Sequence, residues 1–186
     1  MFSHYPRFLT IILTITGYFS FSTVGISQEN RNNAEQLFNL NISGGMELSI
    51  INSSNDIAAN YGPCLQTSFN YHSPKQINIG IGASLMGGSL YNDRSVMLGF
   101  NKLFGHHAIT GQIGINNAFQ TSSYLTSMKN KPGEFVSVGY QYAKNIIQFN
   151  VEYVHKGFRT LIQDISPAYS VRTITNGIRV RVGVVL

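Results

Sequence analysis

The chain has 186 residues, which suits a single domain, and a formal net charge of +5. Charged residues make up only 11% of the sequence, compared with about 25% in ordinary soluble domains, and the basic residues are scattered. This composition argues against a nucleic-acid-binding surface and against a sheet whose outer face is wetted by Lys and Glu. The only cysteine, Cys64, excludes an internal disulfide framework. We expect it to be a small side chain near a strand end, with an intermolecular disulfide as the alternative.

The first 27 residues have the three parts of a secretory signal peptide. Arg7 provides the positive charge, the apolar stretch 8–19 follows, and Val24 and Ser27 offer small residues at positions −3 and −1 of a cleavage site. No cysteine lies at this site, so a lipoprotein is not expected. We therefore predict a signal peptide at 1–27, a flexible periplasmic leader at 28–36 and one β-domain at 37–186. An uncleaved N-terminal anchor is the alternative for the first segment.

Eight short runs of alternating apolar and polar residues fill the chain after residue 37. In the clearest run, Ile77, Ile79 and Ile81 occupy one face while asparagine and glycine occupy the other. This period of two residues is typical of β-strands. We predict strands at residues 38–49, 61–72, 76–85, 96–101, 109–116, 136–142, 147–154 and 178–186. No stretch has helical apolar spacing over a useful length.

The connections between these strands alternate between long and short. Long loops are predicted at 51–60, around 87–94, at 117–132 and at 157–169, and short turns at 73–75, 104–107 and 144–145. A barrel with both termini in the periplasm has this rhythm, because its periplasmic turns are short and its outer loops are long. The sequence therefore predicts an all-β fold, an eight-stranded antiparallel up-and-down transmembrane β-barrel in the cell outer membrane.

The polar face of the strands indicates which side of the barrel faces lipid. It consists mostly of Asn, Gln, Ser, Thr and Gly, which suit the crowded interior of an eight-stranded barrel and would form a poor solvent surface. A membrane barrel turns its apolar face outward because lipid cannot satisfy polar side chains. The alternative is a soluble exported barrel that binds an apolar ligand inside.

A few charged residues fall on the polar strand face. The last strand must pair with strand seven and, at closure, with strand one, which brings its two arginines near two glutamates. Because buried charges need partners, we predict a lumenal ion-pair network that plugs the barrel, formed by Glu47, Glu152, Arg179 and Arg181. Ion conduction and a lumenal binding site are the alternatives. Basic residues in or beside the outer loops are candidate contacts for anionic lipopolysaccharide: Lys129, Lys131, Lys156 and Arg159.

No motif in the sequence defines a catalytic or metal site. His106 and His107 are adjacent in a turn without a nearby carboxylate or cysteine, so they make a weak metal half-site. One arrangement could form a hydrolytic triad, although no nucleophile motif surrounds it: His155 with Asp164 and either Ser166 or Ser170. We expect no enzyme activity, no metal and no cofactor. A lipid-modifying enzyme of the outer membrane that acts through His155 is the alternative.

Three stretches carry a resemblance to a known family: Ile42–Met46, Glu152–Gly157 and Gly177–Gly183. On these stretches, residues 40–186 resemble the small outer-membrane β-barrels of the PorT-like and OmpA-like type in Gram-negative bacteria. The chain departs from that type in ending on Val184-Val185-Leu186 rather than on an aromatic residue that helps recognition by the assembly machinery. The resemblance implies an integral outer-membrane location, insertion by the barrel-assembly machinery and no single activity.

These observations predict a non-enzymatic outer-membrane barrel with a filled polar lumen. Its expected role is in envelope structure, surface interaction or a secretion assembly. Its expected partners are outer-membrane lipid and lipopolysaccharide, the barrel-assembly machinery during insertion and an envelope protein, and no nucleic acid.

Overall fold

The structure, a computed structural model, describes residues 38–53, 56–73, 76–120, 128–162 and 169–186. The predicted signal peptide and leader lie outside these residues. Within them the chain forms the strands β1 (Phe38–Ser53), β2 (Asp56–Ser73), β3 (Ile77–Gly87), β4 (Tyr91–Phe104), β5 (His107–Gln120), β6 (Met128–Lys131), β7 (Gly133–Lys144), β8 (Ile147–Ile162) and β9 (Tyr169–Val185). None of the described residues belongs to a helix that is long and apolar enough to cross a membrane.

Eight of these strands close into an antiparallel barrel. Strands β1 to β5 pair in chain order, and β5 then pairs with β7, β7 with β8, β8 with β9 and β9 with β1. Within the described part of the chain, the four-residue strand β6 pairs with β8 and does not form a ninth member of the ring. The predicted eight-stranded up-and-down barrel is therefore confirmed.

Strands β6 and β7 both pair with β8 and follow one another at the same place in the barrel wall, with a bulge between them. Lys131 pairs with Arg159, and Phe135 pairs with Lys156. An advance of four residues along β6 and β7 thus matches an advance of three along β8. The extra residue falls at Pro132–Gly133, and proline, which lacks an N–H, is tolerated at such bulges.

The strands are strongly tilted relative to the barrel axis. If one starts at Ile50 and steps from each residue to its register partner on the next strand, one circuit of the barrel ends on β1 at Leu40. The circuit is therefore displaced by ten residues along β1. The intermediate partners are Asn176, His155, Val136, Ile113, Leu98, Ile81 and Phe69. Closed barrels with such a stagger have strands tilted by about 35–45°, and eight strands leave an interior that side chains alone can fill.

The turns at the lower end of the barrel, where β1 begins and β9 ends, are short. Two residues separate β4 from β5, and two separate β7 from β8. Gly105 and Asn145 in these turns have φ angles of 65° and 58°, a left-handed conformation that glycine and asparagine tolerate best. The short turns predicted at 104–107 and 144–145 are confirmed, whereas residues 74 and 75 of the third turn lie outside the described residues.

At the upper end the strands extend further than the sequence predicts. The predicted loops 51–60, 117–132 and 157–169 are strand at 51–53, 56–60, 117–120, 128–131 and 157–162, and β9 begins at Tyr169. Residues 92–94, also predicted as loop, belong to β4. The sequence predicts the end of each strand at the point where polar or turn-forming residues interrupt the apolar pattern. Pairing between neighbouring strands depends on backbone hydrogen bonds rather than on that pattern, so the strands continue beyond this point.

Most apolar side chains of the strands point outward, and most polar side chains point into the lumen. Exposed outward residues include Met46, Ile79, Val96, Ile113, Val138 and Ile178. A strand of about ten residues is long enough to cross the hydrocarbon layer of a membrane, and we count these residues from the lower end of each strand. We call the apolar outward side chains among these ten residues of each barrel strand the apolar belt.

Candidate functional site in the lumen and at the outer rim

Four charged side chains form a buried group in the lumen. Lys156 Nζ lies 2.7 Å from Glu47 Oε1 and 2.7 Å from Asp93 Oδ2. Arg179 donates to Glu47 Oε2 from Nε at 2.9 Å and from Nη2 at 2.7 Å. The four side chains are at most 7% exposed. We call Glu47, Asp93, Lys156 and Arg179 the upper ion cluster.

Arg181 and Glu152 form a second ion pair nearer the lower end of the lumen. Arg181 Nη2 donates to Glu152 Oε1, and its Nη1 donates to Ser43 Oγ at 2.8 Å. Both charged residues are buried. The four residues of the predicted network thus all lie in the lumen, divided between this lower pair and the upper ion cluster.

Lys156 and Asp93 occupy positions that the sequence does not predict. The predicted contact between Lys156 and lipopolysaccharide is wrong, because Lys156 is 1% exposed and points into the lumen. It lies an even number of residues from Glu152 on β8, so both point to the same side of the sheet. Asp93, in a predicted loop, lies on β4 opposite Met86 and is buried. Extending the alternation of β8 by one step would have placed Lys156 correctly.

The buried charges of the upper ion cluster and the lower pair balance. Three carboxylates face three cations, so the six groups are neutral as a set when all are ionised. An isolated charge in such a place is very costly, whereas a paired and hydrogen-bonded charge is tolerated. The balance therefore allows these side chains to fill the lumen.

Apolar and aromatic side chains pack around the upper ion cluster and help to fill the lumen. Phe135, Met97 and Val154 form a buried group, and the Arg179 guanidinium lies 5.7 Å from the centroid of the Phe135 ring. The rings of Tyr91 and Phe158 pack with centroids 5.2 Å apart, and Phe158 is the next inward residue above Lys156 on β8. The lumen is thus occupied by side chains through its middle and upper parts.

The lower lumen contains a small polar chamber. It is lined mainly by amide and hydroxyl side chains, and it offers about 30 Å³ for the centres of water molecules, which is room for about two waters. Several buried polar atoms of its lining have no hydrogen-bonding partner among the described residues: Asn41 Oδ1, Thr110 Oγ1, Gln148 Oε1, Glu152 Oε2 and Arg181 Nε. Water is the natural partner for these atoms.

Three basic residues lie side by side on the outer face, above the apolar belt. Lys131 on β6 pairs in register with Arg159 on β8, and Arg159 pairs with Arg172 on β9. All three side chains are exposed, and we call them the basic row. Two predicted lipopolysaccharide contacts, Lys131 and Arg159, belong to it. The side chain of Lys129 lies outside the described residues, and Arg172 is a member that the sequence does not predict.

Arg172 also reaches across the neighbouring strand to an acidic residue. Its Nη2 lies 2.5 Å from Glu134 Oε1. The two side chains meet over Gly157, where an added Cβ would collide with the Glu134 carboxylate. The hydrogen bond from Arg172 lowers the pKa of Glu134, which lies above the apolar belt. The absence of a side chain at Gly157 therefore makes room for this pair.

The contacts of His155 connect neighbouring strands. His155 Nδ1 lies 2.7 Å from Asn176 Oδ1, and the Tyr153 hydroxyl donates to the same oxygen at 2.9 Å. Of the other residues in the candidate triad, Ser170 is exposed on β9, while Asp164 and Ser166 lie outside the described residues. The hydrogen bond of His155 is thus made to an amide, which is neither a nucleophile nor an acid.

The two histidines of the lower turn contact tyrosines of β7. His107 Nδ1 contacts the Tyr140 hydroxyl, and the His106 ring lies with its centroid 6.3 Å from that of Tyr142. No group of three or more metal-ligating side chains occurs among the described residues.

Comparisons with known proteins identify the fold. No protein-family model and no curated protein sequence matches the chain. The crystal structure of Ail, the attachment invasion locus protein of Yersinia pestis, is 12% identical with a TM-score of 0.53, over 80% of this chain and 98% of that one. Ail in complex with the heparin analogue sucrose octasulfate is 13% identical with a TM-score of 0.51, over 80% and 99%.

The solid-state NMR structure of the outer membrane protein AlkL in lipid bilayers is 11% identical with a TM-score of 0.51, over 84% of this chain and 92% of that one. At such identities the likeness concerns the fold alone. It agrees with the strand order and the closure described above, and the chain has the fold of the small eight-stranded outer-membrane β-barrels.

Proposed function

We propose that this protein is a non-enzymatic, integral outer-membrane barrel that binds lipopolysaccharide phosphates at its outer rim and does not conduct ions. The basic row above the apolar belt is the observation that carries this proposal. Arg159 is the thirteenth residue of β8 from its lower end, and Arg172 is the fourteenth of β9. Since about ten residues cross the hydrocarbon, these cations reach the level of lipid phosphate groups.

The chemistry of the basic row suits phosphate. A guanidinium presents a planar set of N–H donors that matches two phosphate oxygens at once, and two of the three residues are arginines. The Arg172 side chain is 58% exposed although it is paired with Glu134, so it can also contact an external ligand. Each basic residue near an anionic membrane surface contributes about 1 kcal/mol of attraction.

The filled lumen supports the second part of the proposal. The upper ion cluster and the Phe135 group occupy the cross-section through which ions would have to pass. An ion would have to separate buried pairs, at a cost of about 3–5 kcal/mol for each pair that loses a partner. We therefore propose a role in envelope structure and surface interaction rather than in transport.

Location and assembly belong to the same proposal. The apolar belt, together with the predicted signal peptide, supports export and insertion into the outer membrane, and we propose that the barrel-assembly machinery carries out the insertion. An envelope protein remains a further proposed partner. The barrel of Ail has been solved with sucrose octasulfate, which makes this polyanion a useful soluble probe of the basic row.

The first test is binding of lipopolysaccharide to the barrel in phospholipid nanodiscs. The triple variant Lys131→Gln, Arg159→Gln, Arg172→Gln should lose more than about tenfold in affinity, because three cations near an anionic surface are removed. The affinity of the unchanged barrel should fall with rising salt and should be weaker for dephosphorylated lipopolysaccharide. Sucrose octasulfate should compete.

The matched control is the double variant Lys102→Gln, Lys144→Gln, which removes exposed cations from the lower end of the barrel. Its affinity should stay within a factor of two of that of the unchanged barrel. Equal losses in both variants, or none in the triple variant, would refute the proposed role of the basic row.

The membrane location and the closed lumen have their own tests. Cell fractionation should recover the mature protein with the outer membrane, and recovery in the aqueous periplasmic fraction would contradict the proposal. Recordings from planar bilayers should show no steady conductance. A large steady conductance would show that the ion cluster does not close the barrel.

A further inference from the structure

The upper part of the β1–β2 wall exposes apolar side chains above the apolar belt. Leu48 and Ile50 on β1 are 61% and 57% exposed, and Ile57 and Tyr61 on β2 are 77% and 57% exposed. Ala59, also exposed, is the register partner of Ile50, and Tyr61 is the partner of Leu48. We call Leu48, Ile50, Ile57, Ala59 and Tyr61 the upper apolar patch.

The position of this patch distinguishes it from the rest of the rim. Counted from the lower end of β2, Tyr61 is the thirteenth residue and Ile57 the seventeenth, whereas about ten residues cross the hydrocarbon. On five other strands the outward residues above the apolar belt include a polar or charged side chain: Arg94 on β4, Asn117 on β5, Glu134 on β7, Arg159 on β8 and Arg172 on β9. Phe119, higher on β5, is also exposed, but the polar Asn117 separates it from the apolar belt. The patch therefore presents apolar surface at a level where lipid does not cover it.

Charge distinguishes the region of the barrel that contains this wall. The outward positions of β1 from Phe38 to Asn52, of β2 from Ile57 to Tyr71 and of β3 from Ile77 to Gly87 carry no charged side chain. Strand β5 shares this property, but its neighbours β4 and β7 carry Arg94 and Glu134 on the outer face. The rim elsewhere carries Arg94 and the basic row, and the whole chain has a net charge of +5. Two copies in one membrane would repel each other through their basic rims and would meet with least repulsion at the β1–β2 wall.

We propose that the upper apolar patch is the contact surface of a homodimer in which two barrels pack wall to wall about a two-fold axis along the membrane normal. Copies inserted in the same direction hold the patch at the same height, so the patch of one copy faces the patch of the other. A two-fold interface requires this self-complementarity. An uncharged wall with apolar residues on two paired strands provides it.

The membrane orientation is the only part of the proposed function on which this inference rests, and lipopolysaccharide binding is independent of it. The two can therefore fail separately. A barrel that is recovered from the outer membrane and yet proves monomeric would refute the dimer and leave the proposed location intact.

Cysteine cross-linking in outer-membrane vesicles tests the dimer. In a Cys64→Ala background, Ala59→Cys should give a disulfide-linked dimer under mild oxidation, because the two-fold axis brings equivalent positions together. Phe119→Cys is the matched control, since Phe119 is exposed high on β5 at the opposite wall. It should cross-link at least tenfold less. Equal yields at both positions, or no dimer at Ala59→Cys, would overturn the proposal.

Two further measurements keep the test independent of the cysteine variants. Ile57→Lys, at an exposed position that should leave folding intact, should shift the barrel toward monomer in sedimentation equilibrium, and an unchanged mass would count against the dimer.

The chain has no tryptophan, so Ile57→Trp provides a single fluorescent reporter in vesicles that contain lipids with brominated acyl chains. Strong quenching would place the patch in lipid and refute the contact, whereas protection from both brominated lipid and aqueous iodide supports it.

Discussion

Two ion pairs of the same chemistry occupy opposite environments in this barrel. Arg179 and Glu47 pair in the lumen at 2.7 Å with both side chains 0% exposed. Arg172 and Glu134 pair on the outer rim at 2.5 Å, with side chains 58% and 41% exposed. The distances are alike, so burial decides what each pair does. The lumenal pair holds the interior together, whereas the rim pair contributes little to stability and stays accessible to ligands.

The contrast arises within single strands. Lys156 and Arg159 lie three residues apart on β8, and the alternation of side chains sends one into the lumen and the other to the outer face. The same lysine or arginine chemistry therefore fills the lumen at an inward position, and at an outward one it is available for the proposed binding of phosphate. The following predictions test this division.

We expect the largest loss in the free energy of unfolding for Glu47→Gln. The substitution keeps the shape of the side chain but removes the charge that Lys156 and Arg179 share, and it leaves an excess of positive charge in the lumen. The free energy of unfolding, measured by urea titration in lipid vesicles, should fall by about 3–5 kcal/mol.

The matched control for this substitution is Glu134→Gln on the rim. It removes the same charge by the same chemical change from an exposed pair, and the free energy of unfolding should change by less than about 1 kcal/mol. Equal effects at the two positions would show that burial does not separate the two pairs.

The second prediction concerns coupling within the upper ion cluster. Lys156→Met leaves Asp93 without its partner, and Asp93→Asn leaves Lys156 with Glu47 alone. The double variant removes one charge of each sign, so its loss in stability should be smaller than the sum of the two single losses by about 1–3 kcal/mol. Simple additivity in this double-mutant cycle would mean that the Lys156–Asp93 contact carries no energy.

The ring of strands and part of the lumen could be predicted because they depend on local alternation and on closure. Alternation assigns Glu47, Arg179 and Arg181 to the polar face, and closure of the last strand on the first brings the arginines toward Glu47. These steps need only the order of the strands and the period of two residues.

The rest depends on information that lies outside any one strand. Asp93 is part of Asn92-Asp93-Arg94, which has the composition of a turn, and its place in β4 is set by pairing with β3 and β5. The basic row needs the registers of β6, β8 and β9 together, including the extra residue at Pro132–Gly133. Arg172 therefore could not be grouped with Lys131 and Arg159 from the sequence alone.

The third prediction compares two glycines, one at each kind of site. Gly45 lies on the lumenal side of β1, where an added Cβ would collide with the backbone carbonyl of Val180. Gly157 lies on the outer face, where the three atoms nearest to the added Cβ belong to the flexible carboxylate of Glu134. Gly45→Ala should cost about 1–3 kcal/mol in the free energy of unfolding because the strands must move apart.

Gly157→Ala should cost less than about 1 kcal/mol, because the Glu134 side chain can turn away from a pair that contributes little to stability. A loss at Gly157→Ala as large as that at Gly45→Ala would show that the rim is packed as rigidly as the lumen.

The smallest effect is the pH dependence of the rim pair. Arg172 lowers the pKa of Glu134 in the folded protein. The pair therefore contributes its stability above the ordinary pKa of a glutamate and loses it as the pH falls through the lowered value. The difference in unfolding free energy between the unchanged barrel and Arg172→Gln should be at most about 1 kcal/mol at neutral pH. It should shrink as the pH falls below the ordinary glutamate pKa of about 4.3 and disappear below the lowered pKa of Glu134. Because the comparison subtracts the lumenal carboxylates, which both proteins share, a difference that persists at low pH would show that Arg172 stabilises the rim through contacts other than Glu134.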